Sequence, residues 1–194
     1  MRPLLWLVVA APLVGQTITP EERQTALTRL RSSRKLFLAA IAGISEAQWN
    51  FKPAPDRWSV GECAEHIVLT EQAYYRTLTR LLESTPAAGR RADLSDEELL
   101  KLYTDRSQKR QAPEPLQPKG RWAGRRELIE RFNGTRDRII ALAQTTGLPL
   151  RNYTSPAAGG KLMDGYQWFL RIAGHAERHT AQLEEVKADP KFPQ

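Results

Sequence analysis

Cysteine is almost absent from this chain: Cys63 is the only one among 194 residues. A chain with one cysteine cannot form an internal disulfide, so no cross-link contributes to its stability. Stability must come from a hydrophobic core, with a bound metal ion as a possible further source. We expect Cys63 to be a small packed side chain, and a metal ligand or a reactive thiol is the alternative.

Internal repeats, low-complexity tracts and alternating strand patterns with hairpin turns are also absent from the sequence. Hydrophobic residues make up 41% of the chain and charged residues 26%, which is typical of a soluble globular protein. The length is that of one domain with a proper core. We therefore predict a single domain over residues 17–194.

Dense positive charge is missing, although the formal net charge is +7. The arginines are mixed with acids, as Arg23 and Arg29 are with Glu21 and Glu22. No basic block or nucleic-acid motif is present. We expect a solvated basic surface and no nucleic-acid partner, because dispersed charge does not make an electrostatic footprint for nucleic acid.

A long hydrophobic run is lacking as well, and the apolar segment at the start of the chain is short. Arg2 gives a positive start, and the segment from Leu4 to Val14 is apolar apart from its prolines. This layout predicts a signal peptide over residues 1–16, because its core is too short for a mature membrane span. We expect export to the periplasm or medium, with the mature chain beginning near Gln16. The alternative is a cytoplasmic protein whose N-terminal helix docks on the domain.

Four long segments carry the helical spacing of apolar residues. Capping boxes start two of them, at Thr19 with Glu22 and at Ser59 with Glu62. The predicted helices run from about Pro20 to Gly43, Val60 to Leu82, Arg125 to Thr146, and Met163 to Ala188. Their amphipathic character and mostly short connections predict an all-α four-helix bundle.

The exception among the connections is the stretch between the second and third helices. Ser95 can cap a short helix reaching about Arg110, and Pro113, Pro115 and Pro118 then favour extended backbone. We predict a helical, proline-rich insert that covers one end of the bundle. The connections at residues 44–58 and 151–161 are predicted to be loops.

Histidine is scarce too, and the three present lie on predicted helices: His66, His175 and His179. His175 and His179 are four residues apart, which places them one turn apart on one helix face. That face is otherwise apolar, and unpaired imidazoles directed at a core are costly to desolvate. A shared metal ion would remove that cost. The alternative is that each histidine is a surface residue or is hydrogen-bonded.

Two segments that contain these histidines resemble a known family. The first reads Trp58-Ser59-Val60-Gly61-Glu62-Cys63-Ala64-Glu65-His66-Ile67. The second reads Asp164-Gly165-Tyr166-Gln167-Trp168-Phe169 and continues through His175, Arg178, His179 and Gln182. A W-S-x-x-E start combined with a distant H-x-x-x-H pair is similar to the DinB/YfiT-like family of metalloenzymes, over about residues 20–188.

The resemblance implies an up-down-down-up arrangement of the four helices. It also implies one divalent metal ion, typically zinc or nickel, held by three histidines that match His66, His175 and His179. Relatives include thiol-S-transferases that use bacillithiol and a mycothiol-dependent maleylpyruvate isomerase. Low-molecular-weight thiols are cytosolic, so the predicted export counts against thiol transfer by this chain.

Other polar residues near the histidines are candidates for contacts with the substrate or with the ligands. Arg171 lies four residues before His175, and Arg178 and Gln182 lie close to His179. We predict that they bind a substrate or orient a ligand; the alternative for the arginines is a solvated surface position. Cys63 belongs to the same group of candidates.

No general base is evident, because the motif is not H-E-x-x-H. Glu62 already acts in a capping box. Glu65 and Glu177 are adjacent to ligands, about 100° round a helix from them. We expect these two carboxylates to face solvent or to contact the surroundings of the ligands.

Three functional hypotheses follow. The first is a metal-dependent hydrolase or thiol-dependent transferase for a small molecule, anionic or thiol-containing. The second is a non-catalytic bundle in which the metal is structural or a partner is bound. The third, nucleic-acid binding, depends on charge alone. A homodimer is compatible with the enzyme and with the non-catalytic bundle.

Overall fold

The computed structural model describes residues 17–87, 89–157 and 160–194. The predicted signal peptide, residues 1–16, lies outside the described residues. Within them the α-helices are α1 Pro20–Ala40, α2 Glu46–Asn50, α3 Val60–Leu82, α4 Asp96–Thr104, α5 Arg125–Thr145 and α6 Gly165–Lys187. Short 3₁₀ turns cover Glu114–Leu116 and Leu150–Asn152, and two strands cover Thr154–Pro156 (β1) and Leu162–Asp164 (β2).

Capping boxes fix the starts of several helices. Thr19 and Ser59 each accept a hydrogen bond from the backbone N–H three residues on, and the glutamate there accepts one from the cap residue's N–H. These reciprocal bonds satisfy N–H groups that the first helical turn leaves unpaired. The predicted starts of α1 and α3 are therefore confirmed.

Helix α1 runs parallel to α6. The Arg29 guanidinium lies 3.3 Å from the Glu177 carboxylate, and Lys187 Nζ donates to the Ala40 carbonyl at 3.1 Å. The middle of α1 thus meets the middle of α6, and the end of α1 meets the end of α6. The two helices point in the same direction.

Helix α5 runs antiparallel to α1. Arg34, in the second half of α1, pairs with Asp137 of α5 at 2.5 Å. Arg23, near the start of α1, donates to the carbonyl of Ala143, near the end of α5, at 2.5 Å. Helix α3 is antiparallel to α6, since His66, early in α3, lies beside His179, whereas Tyr74, later in α3, lies beside Trp168 near the start of α6. The order is up, down, down and up for α1, α3, α5 and α6, which confirms the predicted four-helix bundle.

A fully buried ion pair joins three of these helices. Arg136 of α5 binds both carboxylate oxygens of Glu71 of α3 at 2.6 Å. Its remaining nitrogen donates to the Leu30 carbonyl and to Ser33 Oγ of α1. Both charged side chains are buried, so each depends on the other for its solvation.

The predicted loops contain regular structure that the sequence pattern did not reveal. Residues 46–50 form α2, started by a capping box between Ser45 and Gln48. Strands β1 and β2 pair antiparallel, with Ser155 opposite Met163. Three-residue strands are too short to show a period, so the prediction of a plain loop at residues 151–161 was wrong.

The insert between α3 and α5 contains α4, which packs on α6, and the 3₁₀ turn at Glu114–Leu116. Helix α4 ends at Thr104 rather than near Arg110. The Asp105 carboxylate accepts hydrogen bonds from the N–H and the hydroxyl of Ser107, a local turn that competes with further helix. None of the described helices combines the length and apolar character needed to cross a membrane.

Candidate metal centre

The bundle brings the three histidines together. His66 lies in the second turn of α3, and His175 and His179 lie one turn apart on α6. One ring nitrogen of each lies within 4.8 Å of the others. The ring centroids are 4.4 Å apart for His66 and His179, 4.4 Å for His175 and His179, and 5.0 Å for His66 and His175. The predicted convergence is confirmed.

Burial keeps the three imidazoles neutral. It lowers the pKa of His66, and it lowers that of His175 well below the usual value. Burial, together with the neighbouring His66, lowers the pKa of His179 to about 3. A neutral imidazole is the form that binds a metal ion, so the cluster is in its ligating state at neutral pH.

Hydrogen bonds fix which nitrogen two of the rings present. His66 Nδ1 donates to the Leu116 carbonyl at 2.7 Å, since a carbonyl can only accept. His179 Nδ1 lies 2.8 Å from Gln182 Oε1, which Arg106 also contacts. A guanidinium has only donors, so the amide oxygen faces both groups. Nε2 of His66 and of His179 is therefore left with its lone pair, and Gln182 holds the orientation of the His179 ring.

The insert supplies the acceptor for His66, which sequence reasoning missed. Leu116 ends the 3₁₀ turn, and the backbone after it is held by Glu65 of α3. The Glu65 carboxylate accepts from the N–H groups of Lys119, Gly120 and Arg121 at 3.0, 2.8 and 3.2 Å. Glu65 is buried and contacts the insert, so the solvent-facing alternative for it is wrong.

Aromatic rings surround the histidines. The Trp58 ring lies 4.8 Å from the His66 ring and 6.3 Å from the His179 ring. On the far side, Tyr74 meets His175 edge-on at 5.4 Å. These rings limit the access of water to the cluster and strengthen electrostatic interactions inside it.

Arg171 is enclosed by aromatic rings instead of facing a substrate site. Its guanidinium lies 4.1 Å from the Tyr74 ring centroid, 4.9 Å from that of Tyr103 and 4.7 Å from that of Trp168. It also donates to the Tyr74 hydroxyl at 3.0 Å. The structure thus gives Arg171 a role in supporting the ring that packs on His175.

Cys63 is part of the apolar core. Its side chain is fully buried beside residues such as Phe37 and Phe132, and burial raises the pKa of the thiol to about 12. The group of potential ligands found among the described residues contains the three histidines and not this thiol. These observations favour the packed side chain over the ligand or reactive thiol.

A cavity of about 560 Å³ adjoins the cluster at His179. Arg178 and Gln182 of α6 also line it, with Trp58 on one side and residues 106–112 of the insert on another. Arg178 is buried, and its burial near Arg106 and Arg110 lowers its pKa. Arg178 and Gln182 thus line the cavity, whereas the cavity-lining residues of the described chain do not include Arg171 or Cys63. That Arg178 or Gln182 contacts a substrate stays a prediction.

The donor set fits a divalent transition metal. Three neutral imidazoles suit zinc, copper, iron or nickel, and three protein ligands are the number that catalytic zinc sites use. Nearby carboxylates have other partners: Glu62 caps α3, and Glu177 pairs with Arg29. The neutral cluster leaves the charge of a bound ion uncompensated, which favours an anionic or ionisable group in a remaining position.

Comparison with known proteins gives three similarities. A model of the DinB superfamily matches residues 29–183, a range that includes the three histidines. The uncharacterized protein YuaE of Bacillus subtilis (strain 168) is 22% identical over 147 residues, which cover 76% of this chain and 88% of YuaE. The structure of YfiT from Bacillus subtilis, described as "a probable metal-dependent hydrolase with an unusual four-helix bundle topology", matches with a TM-score of 0.61 at 13% identity over 89% of each chain.

Proposed function

The chain belongs to the DinB superfamily, and on that premise we propose that it is a metal-dependent hydrolase that acts on a small molecule. One observation carries the proposal: three neutral histidines from two helices converge beside a cavity that His179 lines, with Nε2 of two of them left free. The description of YfiT as a hydrolase of this kind supports it.

The residues that would hold the ion are His66, His175 and His179, and zinc or nickel is the metal we propose. Such an ion, when bound, lowers the pKa of water to about 7 and polarises a substrate oxygen. The protein's own residues orient the histidine rings and exclude water. Leu116 and Gln182 hold two imidazole rings in the ligating tautomer, and Trp58 shields them from bulk water.

The three-donor composition of the cluster favours an enzyme over a structural metal site. Structural zinc sites are closed by four protein ligands, whereas catalytic sites keep a position open. Cys63, the candidate for a fourth ligand, is packed in the core. The adjoining cavity is large enough for a small molecule.

Metal content tests the ligand set. Protein purified without a metal-affinity tag should contain about one divalent ion per chain, measured by elemental analysis. Replacing any one of the three histidines by alanine should reduce the metal content sharply and lower thermal stability, because an ion bound only to the native state stabilises it. Cys63→Ala is the control and should keep its metal. Full occupancy in all three alanine variants would refute the proposed site.

The cobalt form tests whether the ion can take part in chemistry. Titration with azide, carboxylates or small thiols should shift the visible spectrum if a coordination position exchanges. A response to thiols alone would favour the thiol-dependent transferase. A spectrum insensitive to pH and to every ligand would indicate a closed structural site and would remove the enzyme from consideration.

Export of the protein is a separate proposal, supported by the charged start and short apolar core of residues 1–16. The single domain of residues 17–194 would then be the mature protein. Mass spectrometry of the protein from its native host should give an N-terminus near Gln16. An intact N-terminus on a cytosolic protein would contradict it.

A further inference from the structure

The cavity beside His179 carries an excess of positive charge. Its walls contain five basic side chains, Arg57, Arg106, Lys109, Arg110 and Arg178, against two acidic ones, Asp56 and Glu185. One of these acids is already engaged, since Glu185 binds Arg106 through both carboxylate oxygens. A cavity with this balance attracts small anions and raises their local concentration.

Arg178 and Arg171 are the two buried arginines of α6, and each has a buried guanidinium nitrogen without a hydrogen-bond partner among the described residues. Arg171 is stacked on aromatic rings, and Arg178 is not stacked on any ring of those residues. Arg178 is only 6% exposed, and its Nη2 donates to the Gln108 carbonyl at 2.8 Å. Its Nη1 is buried and has no hydrogen-bond partner in the part of the chain that the structure describes. No carboxylate of those residues lies within 4.0 Å of it, whereas Arg136 is paired with Glu71.

A buried guanidinium without a counter-ion is costly, because the desolvated charge is not compensated. The cost is also not offset by aromatic rings, which enclose Arg171 but are not stacked on Arg178 among the described residues. A carboxylate or a phosphate would satisfy both the charge and the free donor, since a guanidinium presents its N–H groups in a fork that matches two oxygens.

We propose that Arg178 binds an anionic oxygen group, a carboxylate or a phosphate, of the molecule that enters this cavity. The inference builds on the proposed function, because Arg178 precedes His179 on α6 and lines the same cavity. An anion held by Arg178 lies beside the histidine cluster, so the scissile bond of the substrate lies within a few bonds of its charged group. The substrate class is therefore a small organic acid or phosphate with a hydrolysable bond close to the anion.

Anion binding by the metal-free full-length protein tests this inference apart from the metal. Acetate, inorganic phosphate and neutral acetamide are titrated at constant ionic strength, and binding is followed by isothermal titration calorimetry and by thermal unfolding. We expect acetate or phosphate to bind and to raise the unfolding temperature, and acetamide to do neither. Preference for acetate identifies a carboxylate substrate, and preference for phosphate a phosphorylated one.

Two variants of Arg178 and one matched control separate binding from packing. Arg178→Gln should weaken anion binding by about tenfold or more, and Arg178→Lys, which keeps the charge without the fork, by a smaller factor. Lys109→Gln removes the same charge from the same cavity wall, but Lys109 is exposed, so it should change the affinity by about twofold or less. Arg178→Gln should be at least as stable as the wild type without anion, because it removes an uncompensated buried charge.

The outcomes distinguish this inference from the proposed function. Binding that is equal in wild type and Arg178→Gln, or equal for acetate and acetamide, would overturn the role of Arg178. The same holds if Arg178→Gln unfolds more easily than the wild type and Arg178→Lys binds anions as tightly as the wild type does. If metal analysis fails but Arg178-dependent anion binding is found, the anion site stands and the hydrolase proposal does not.

Discussion

Glu65→Gln tests whether the insert sets the metal affinity of the histidine cluster. The Glu65 carboxylate accepts three backbone N–H groups of residues 119–121, which follow the Leu116 carbonyl that orients His66. The substitution changes neither the size of the side chain nor any candidate ligand. It removes one acceptor oxygen and the negative charge.

The expected magnitude follows from those contacts. Oε1 accepts from Lys119 and Arg121, and Oε2 accepts from Gly120. In the glutamine variant one oxygen remains, so at least one N–H faces the amide NH₂ and loses its partner. A hydrogen bond to a charged group contributes about 1.5–3 kcal/mol, so we expect the segment to lose at least about 1.5–3 kcal/mol of local stability. If the opened segment no longer holds the Leu116 carbonyl on His66, Glu65→Gln should bind metal about 10–100-fold more weakly, the usual effect of losing a hydrogen bond to a metal ligand.

Two measurements check this prediction, with Glu62→Gln as the matched control. Competition titration with a chromophoric chelator gives the metal affinity, and hydrogen exchange gives the opening of residues 119–121. Glu62 lies on the same helix, and glutamine can replace it in the capping box with Ser59. The control should therefore retain wild-type affinity within about twofold, a change of less than half a kcal/mol.

One contrary result is that Glu65→Gln binds metal as tightly as Glu62→Gln does, although amide hydrogen exchange at residues 119–121 is faster than in the wild type. That result would mean that the insert can open without disturbing His66. Unchanged exchange in Glu65→Gln would instead show that the three hydrogen bonds do not hold this segment. Either outcome removes the proposed link between Glu65 and the cluster.

Three further predictions concern the packing of the bundle. Arg136→Met should destabilise the protein by about 3–5 kcal/mol in urea unfolding, because it leaves Glu71 buried without a partner; an effect below about 1 kcal/mol would contradict the buried pair. Gly61→Ala should cost about 1–3 kcal/mol, because a Cβ there would lie 2.4 Å from Nε1 of the Trp49 ring, and unchanged stability would show that this contact relaxes freely. Burial raises the pKa of the Cys63 thiol to about 12, so about one molecule in ten thousand should carry the thiolate at pH 8. We therefore expect Cys63 to resist iodoacetamide until denaturant is added. Rapid alkylation of the native protein would instead support the hypothesis that Cys63 is a reactive thiol.

Local interactions explain why much of the fold is predictable from the sequence. The starts of α1 and α3 depend on capping boxes whose members are three residues apart, at Thr19 with Glu22 and at Ser59 with Glu62. The α2 helix has the same kind of box, but its five residues are too few to show a helical period. The up-down-down-up order came from the family resemblance, because periodicity alone does not fix helix direction.

The two arginines of α6 show the limit of reasoning from spacing. Arg171 is four residues before His175 and shares its helix face, yet Tyr74, Tyr103 and Trp168 enclose it. Helical spacing gives the direction of a side chain but not what the neighbouring elements place against it. The cavity instead contains Arg178, because residues of the insert form its opposite wall.

The four long helices, the i, i+4 spacing of His175 and His179 and the apolar face on which they lie can be read from the sequence alone, because these depend on residues within a few positions of one another. The contact by which the Leu116 carbonyl, 50 residues from His66, fixes the tautomer of that histidine is visible in the folded structure alone. The folded structure also places Arg178 in a buried position that lines the cavity, with no ion pair to any of the described residues. Such contacts join residues far apart in the chain, and their energies depend on distance and desolvation, which are set only when the bundle and its insert have packed together.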